Sequence, residues 1–94
     1  PWNNLQVLNI RLNKIQATGV KYLKRAQWKQ LKELNLEYNN IQDEGCLWLT
    51  KTNFVQLRKL LLGGNSIYDK GVQHLTYGNW PYLSELSLRT FELI

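Results

Sequence analysis

Few side chains in this chain of 94 residues could take part in catalysis. A nucleophile activated by a general base needs a pair such as a cysteine and a histidine, and the sequence has one of each, Cys46 and His74. These two residues alone cannot supply the four cysteine and histidine ligands of a usual structural zinc site. The aspartates and glutamates are scattered over different faces. We therefore predict that the segment is not an enzyme and takes no metal, no cofactor and no small-molecule substrate.

Any functional group must be positioned by a repeat that returns every 26 residues. An aromatic residue opens each unit, at Trp2, Trp28, Phe54 and Trp80. A Leu-x-x-Leu-x-apolar run follows, and the first three units continue with an asparagine, an isoleucine and a glycine, as in Asn39, Ile41 and Gly45. A period of this length is typical of a solenoid, in which stacked units share one core and none folds alone. We divide the chain into units 2–27, 28–53 and 54–79 and a partial unit 80–94.

The residue pattern within each unit predicts one strand and one helix. In residues 7–11 the side chains alternate, so that Leu8 and Ile10 face inward, and the same alternation recurs in 33–37, 59–63 and 85–89. Apolar residues three positions apart predict helices over 17–26, 43–52 and 69–77. Asp43 and Asp69 are expected to cap two of these helices. The expected architecture is α/β, with parallel strands on one face and helices on the other.

The unit Leu31-x-x-Leu34-x-Leu36-x-x-Asn39-x-Ile41 resembles the leucine-rich repeat, and the resemblance covers essentially the whole chain. The tail of the unit, from Ile41 through Gly45 to Leu49, is similar to the ribonuclease-inhibitor-like subclass. That resemblance implies a solenoid with strands on the concave face and true α-helices on the convex face. It also implies binding of proteins as the most common role.

Several repeated residues are predicted to be structural. The asparagines Asn13, Asn39 and Asn65 should satisfy backbone groups of the same and neighbouring units, and Asn39→Ala should cost roughly 1–3 kcal/mol. The glycines of the first helical turn should allow the helix to approach the sheet closely. The aromatic residues should form a stack in the core. Cys46 occupies the position of Val20 and Val72 and is therefore expected in the core as well.

Candidate binding residues follow from the repeat register. On the concave face, glycines at 63 and 64 could leave a notch, although easing a turn is the more common role of glycine. The candidate partner-binding residues there are Arg11, Leu12, Glu37, Tyr38, Leu61 and Arg89. On the convex face, an apolar patch is expected from Leu47, Trp48 and Tyr77, and a basic patch from Lys21, Lys24 and Arg25.

The net charge of +5 comes from the first part of the chain. Seven lysines and arginines and no acid lie between residues 11 and 32, whereas residues 33–94 hold five bases and seven acids. Such a patch could meet nucleic acid, an anionic membrane or an acidic protein. Most charged stretches are simply solvated surface, and this one spans strand, helix and loop.

The main hypothesis is a protein interaction scaffold that binds a protein partner through the concave face, the convex face or both, and that could be a subunit of a larger assembly. A basic first unit that binds nucleic acid or another anionic surface is the first alternative. The second is a regulator that activates GTPases, a role that the resemblance allows and to which Arg11 or Arg89 could contribute. The lone cysteine, which cannot form an internal disulfide, and the absence of an Asn-x-Ser/Thr acceptor favour an intracellular, cytoplasmic home. Because neither end resembles a capping unit, we also expect a segment of a longer protein.

Overall fold

A computed structural model describes residues 2–89 as alternating strands and helices. The strands are β1 (Val7–Asn9), β2 (Glu33–Asn35), β3 (Lys59–Leu61) and β4 (Glu85–Ser87). The helices are α1 (Gln16–Leu23), α2 (Gln42–Leu49) and α3 (Asp69–Leu75). The strands form one parallel sheet in the order β1-β2-β3-β4, and consecutive helices pack against each other on its other side. The predicted α/β solenoid is confirmed. Residues 90–94, where Phe91 replaces the expected asparagine, lie outside the described part.

The register of the sheet is the one that the repeat predicts. Leu8 pairs with Leu34, Leu34 with Leu60 and Leu60 with Leu86, each one unit further along the chain. The strands are shorter than the predicted segments of five residues. Ladder bonds nevertheless continue past their ends, because the Leu12 N–H donates to the Glu37 carbonyl and the Tyr38 N–H to the Gly63 carbonyl, at 3.0 and 2.9 Å.

The helices end two or three residues earlier than predicted. Their last turns tighten into bonds between residues three apart, such as Ala26 N–H to the Leu23 carbonyl at 2.9 Å. In α2 the Thr50 hydroxyl also donates to the carbonyl of Leu47, at 2.6 Å. A hydroxyl that satisfies a carbonyl near the end of the helix helps the chain to leave the helix at that point.

The prediction that Asp43 and Asp69 cap helices is wrong. The cap positions of α2 and α3 are Ile41 and Tyr68, and neither has a side-chain cap. The Gln42 N–H at the start of α2 instead donates to the backbone carbonyl of Asn65 in the next unit, at 2.8 Å. Asp43 accepts from the N–H of Tyr68 at 2.7 Å and thereby joins α2 to the next unit. Hydrogen bonds to neighbouring units thus take the place of local side-chain caps.

The asparagines form the predicted ladder. Asn39 and Asn65 are 1% and 2% exposed. The Asn65 carboxamide oxygen accepts from the N–H groups of Asn39 and Ile41, at 2.8 and 3.2 Å, and its nitrogen donates to three carbonyls of its own and the preceding unit. Asn39 makes the same five bonds toward the first unit. The ladder therefore satisfies backbone groups that would otherwise be buried without partners.

The core is deepest in the two middle units. Leu34, Leu60 and Phe54 are almost fully buried, whereas Leu86 and Val72 are each more than two-fifths exposed. Val72 therefore does not repeat the full burial of Cys46 and Val20. Leu86 is on β4, which has a neighbouring strand on one side only within residues 2–89, whereas β2 and β3 have one on each side. Val72 is on α3, the last described helix, while Val20 is fully buried although α1 is also an end helix.

Trp2 stacks on Trp28 and Trp28 on Phe54, with ring centroids 6.3 and 5.9 Å apart. Phe54 is buried but Trp2 is 64% exposed, so the predicted stack in the core is confirmed only in part. The role expected of the helical glycines needs correction. A Cβ at Gly45 would overlap the side chain of Ile41 and would also contact the Ala17 backbone of α1. Gly45 thus permits close packing against the preceding isoleucine and the adjacent helix, not against the sheet.

Candidate binding surfaces on the strand and helix faces

The strand face, formed by the outward side chains of β1 to β4 and the residues just after them, contains a compact cluster of three predicted residues. The Arg11 guanidinium lies 5.1 Å from the ring centroid of Tyr38, and its Nε is 3.5 Å from the Glu37 carboxylate. Arg11 is thus held between a ring and a carboxylate of the next unit. We call these three residues the Arg11 cluster. Exposed ion pairs contribute about 0–1 kcal/mol, so the pair of Arg11 with Glu37, whose side chains are 46% and 23% exposed, adds little to the stability of the fold.

The other predicted residues of the strand face lie around this cluster. Leu12 is 63% exposed, and Leu61 is half-buried on β3. The Arg89 side chain is exposed at the far edge of the described sheet. Leu12 and Tyr38 both have positive φ angles, 62° and 56°, at the position where the third unit has Gly64. The apolar surface next to the Arg11 cluster is therefore presented by backbone that non-glycine residues adopt at a cost.

The predicted notch at the two glycines is wrong. A Cβ at Gly64 would overlap the Tyr38 ring, and one at Gly63 would overlap the backbone carbonyl of Arg89. The space that the missing side chains leave is thus filled by neighbouring units. Gly64 also has a φ of 69°, so the alternative that these glycines ease a turn is correct for this residue. The consequence is that the Tyr38 ring lies close against the sheet.

Two asparagines of the strand face have a local role that the sequence analysis missed. The Asn9 and Asn35 side-chain oxygens accept from the N–H groups of Arg11 and Glu37, two residues further on, at 3.2 and 3.0 Å. Such Asx turns fix the backbone where each strand ends. They therefore help to place Arg11 and Glu37. The Asn-x-charged pattern at both positions is the signal that could have revealed them.

On the helix face, the outward surface of α1 to α3, the structure brings the basic patch and Trp48 together. The Lys21 and Lys24 ammonium nitrogens lie 5.1 and 5.0 Å from the centroid of the Trp48 ring. Arg25 lies over Tyr22 at 5.5 Å. The sequence predicts the apolar and basic patches as separate surfaces. They meet because α1 and α2 pack side by side and Trp48 is on the flank that faces α1.

The remaining members of the predicted apolar patch differ in exposure. Leu47 and Trp48 are half-buried, and Tyr77, after the end of α3, is 76% exposed. The apolar surface of α2 is thus smaller than expected, and part of it is covered by the lysines of the first unit.

The two side chains that could have suggested catalysis do not form a pair. Cys46 is buried in the core, and this burial raises the pKa of its thiol to about 12, with a smaller contribution from the charge of Asp43. A thiol with so high a pKa is a poor nucleophile at neutral pH. His74 is on α3, one unit away and half-buried. Within residues 2–89 no group of three histidines, cysteines or acidic residues could hold a metal ion. None of the described helices is long and apolar enough to cross a membrane.

Comparison with known proteins gives one match. A family model described as Leucine Rich repeat matches residues 3–24 and 30–47, which include β1, α1 and β2 and most of α2. No curated protein and no solved structure gives a significant match. The matched residues hold the Leu-x-x-Leu runs and the asparagines Asn13 and Asn39 that build the sheet and its ladder. With its parallel sheet, alternating helices and ladder of buried asparagines, the chain has the fold of a leucine-rich-repeat solenoid, and its first two units match the family model.

Proposed function

We propose that this chain is a non-catalytic protein interaction scaffold and that it binds a protein partner through the strand face around the Arg11 cluster. A leucine-rich-repeat domain is generally such a scaffold, and the ribonuclease-inhibitor-like subclass remains our finer assignment. The observation that carries the proposal is the contact of the Arg11 side chain, which is 46% exposed, with Tyr38 and Glu37.

The chemistry of the cluster suits a protein interface. Arginine and tyrosine are enriched among the few residues that dominate binding energy, because each offers a large apolar surface together with hydrogen-bonding groups. Arg11 is already held in place, so less side-chain entropy is lost when a partner binds. Leu12 adds exposed apolar surface beside the cluster.

The glycines and Asx turns support this geometry. Gly64 has no side chain to displace the Tyr38 ring, and Asn9 and Asn35 fix the backbone that carries Arg11 and Glu37. The binding surface therefore rests on rigid elements of the repeat, which favours a preformed interface over one that orders on binding.

The proposal can be tested by capture of proteins from an extract of the native source on the immobilised chain. We expect Arg11→Ala combined with Tyr38→Ala to reduce recovery of the captured partner by at least about tenfold, since two anchor residues are lost. The matched control combines Lys70→Ala with Tyr82→Ala, which removes the same two kinds of exposed side chain from α3 and from the loop before β4.

Circular dichroism should show that both double variants remain folded. If the Arg11 and Tyr38 variant captures the same proteins in the same amounts as the control, the strand face is not the binding surface. If capture instead requires Trp48 or Tyr77, the partner binds the helix face.

A further inference from the structure

The first two units together build a preorganised cationic site that involves residues of both helices. Trp48 of α2 lies beneath the ammonium groups of Lys21 of α1 and Lys24 just after it, and each nitrogen is about 5 Å from the ring centroid. A cation held over an indole ring loses part of its freedom before any ligand arrives. Arg25, one residue after Lys24, lies over Tyr22 and extends the same basic surface.

No acid forms an ion pair with this site. Among residues 2–89, ion pairs within 4.0 Å join Arg11 to Glu37 and Lys59 to Glu85, and neither includes a residue of this site. Asp43, in the first turn of α2, accepts from the Tyr68 N–H, and the exposed Glu44 lies one turn before Trp48 on the same side of the helix without pairing with these cations. The positive charge of the three basic residues is therefore not paired within the fold and remains available to an anionic partner.

We propose that this site binds an acidic protein segment, with Lys21 and Lys24 pairing with its carboxylates while Trp48 holds the two lysines in place. The site is on the helix face, so the binding goes beyond the function proposed for the strand face. Lys21 is in the last turn of α1, and Lys24 and Arg25, three and four residues further on, lie in the turn that follows. Lys24 keeps helical dihedral angles, φ −62° and ψ −18°, so Lys21 and Lys24 lie on the same side. Carboxylates at the same spacing on an acidic helix would present a complementary row.

The contacts favour an acidic protein over nucleic acid. Proteins that bind single strands stack bases on open aromatic rings, with about 1–3 kcal/mol per stacked base. Here lysines lie over the Trp48 ring and Arg25 lies over Tyr22. The aromatic residues thus serve to position cations, and recognition would rest on charge and spacing.

The test uses fluorescence anisotropy with three labelled probes. The first is a peptide with glutamates at i, i+3 and i+4 in an alanine background, the second has glutamine in place of glutamate, and the third is an oligouridine of the same net charge as the first. At about 50 mM salt we expect the chain to bind the glutamate peptide, to ignore the glutamine peptide and to bind oligouridine more weakly. Binding of the glutamate peptide should weaken at about 300 mM salt, because exposed charge pairs are screened.

Three variants assign the binding to this site. Lys21→Gln with Lys24→Gln should weaken binding by at least about tenfold, since two glutamates of the peptide lose the lysines that pair with them. Lys29→Gln with Lys70→Gln removes the same charge elsewhere and should change affinity by less than about twofold. Trp48→Leu keeps every charge and should weaken binding by about threefold, whereas Trp48→Phe, which keeps an aromatic ring, should bind nearly as well as the wild type.

The proposal is overturned if the glutamate peptide fails to bind at low salt, or if the two double variants weaken binding equally. Tighter binding of oligouridine would assign the patch to nucleic acid instead. An unchanged affinity in a folded Trp48→Leu variant would remove Trp48 from the site and with it the argument for preorganisation.

Discussion

Replacing the ladder asparagines one at a time should destabilise the chain by amounts that increase from the first unit to the third. The side chains are the same, but different numbers of backbone groups depend on them. Asn13 donates to the carbonyls of Ile10 and Arg11, and its oxygen accepts no hydrogen bond from residues 2–89. Asn39 and Asn65 each accept from two N–H groups of the preceding unit.

The magnitudes follow from which groups lose their only partner. The carbonyls that Asn39 contacts keep other donors: Ile10 keeps Asn13, Leu36 keeps Asn65, and Glu37 keeps the Leu12 N–H. The two backbone N–H groups that donate to the Asn39 side-chain oxygen have no other acceptor within residues 2–89. A buried N–H without a partner costs about 1–3 kcal/mol.

Of the two N–H groups that lose the Asn39 oxygen, the one of Asn13 can bond to water, so only the other is left without a partner. Asn39→Ala should therefore cost about 1–3 kcal/mol in total. Asn65→Ala leaves the buried N–H groups of Asn39 and Ile41 unpaired and should cost about 2–6 kcal/mol. Asn13→Ala removes exposed bonds only and should cost about 1 kcal/mol or less.

The assay is urea unfolding at 25 °C, followed by tryptophan fluorescence and by circular dichroism to check that the two transitions coincide. Should Asn65→Ala be largely unfolded without urea, the series is repeated in sucrose, which stabilises compact states. Equal losses for the three variants would contradict the reasoning, and so would a largest loss for Asn13→Ala. Either result would mean that the cost comes from the loss of an asparagine as such and not from the N–H groups that depend on it.

Further predictions concern the core and the turn after β3. Burial raises the pKa of the Cys46 thiol from an ordinary value of 9.0 to about 12, so the folded state favours the neutral thiol. The stability of the fold should therefore be unaffected by this group below pH 9 and should fall as the pH rises toward 12, because the thiol ionises first in the unfolded state. Urea midpoints at about pH 8 and pH 10 should therefore fall less in Cys46→Val than in the wild type, and an equal fall would contradict the assignment. Gly45→Ala should lower stability by about 1–3 kcal/mol, measured by thermal unfolding, since its Cβ would overlap the buried Ile41; an unchanged midpoint would show that the helix shifts freely. Gly64→Ala should cost about 1–2 kcal/mol in the same assay through its positive φ, and should also displace the Tyr38 ring; a neutral effect would refute both reasons.

Much of the fold could be predicted from the sequence because the repeat imposes the same pairing on every unit. The register of Leu34 with Leu60, the role of Asn39 and the core position of Cys46 follow from the period of 26 residues alone. Each of these features repeats, so each is supported several times over in a single sequence.

The features that the sequence analysis missed depend on contacts between units. Gln42 is satisfied by a carbonyl of the next unit, so no local capping signal marks the start of α2. The notch was expected because Gly64 lacks a side chain, but the Tyr38 ring of the preceding unit fills that space. Likewise, the sequence predicts Trp48 as exposed apolar surface, but α1 packs beside α2 and places Lys21 over the Trp48 ring. A pattern within one unit does not show how long side chains cross to the next.

The most direct test of the proposed scaffold function is photocrosslinking from a single position of the strand face in the native source. A photoreactive amino acid at Leu12, which is 63% exposed beside the Arg11 cluster, should crosslink one discrete protein. The same group at Gln30, an exposed residue of the loop before β2, should not crosslink that protein. The account predicts a crosslink at Leu12 that disappears when Arg11 and Tyr38 are replaced by alanine. Equal crosslinking of the same protein from both positions, or no crosslink from Leu12, would contradict it.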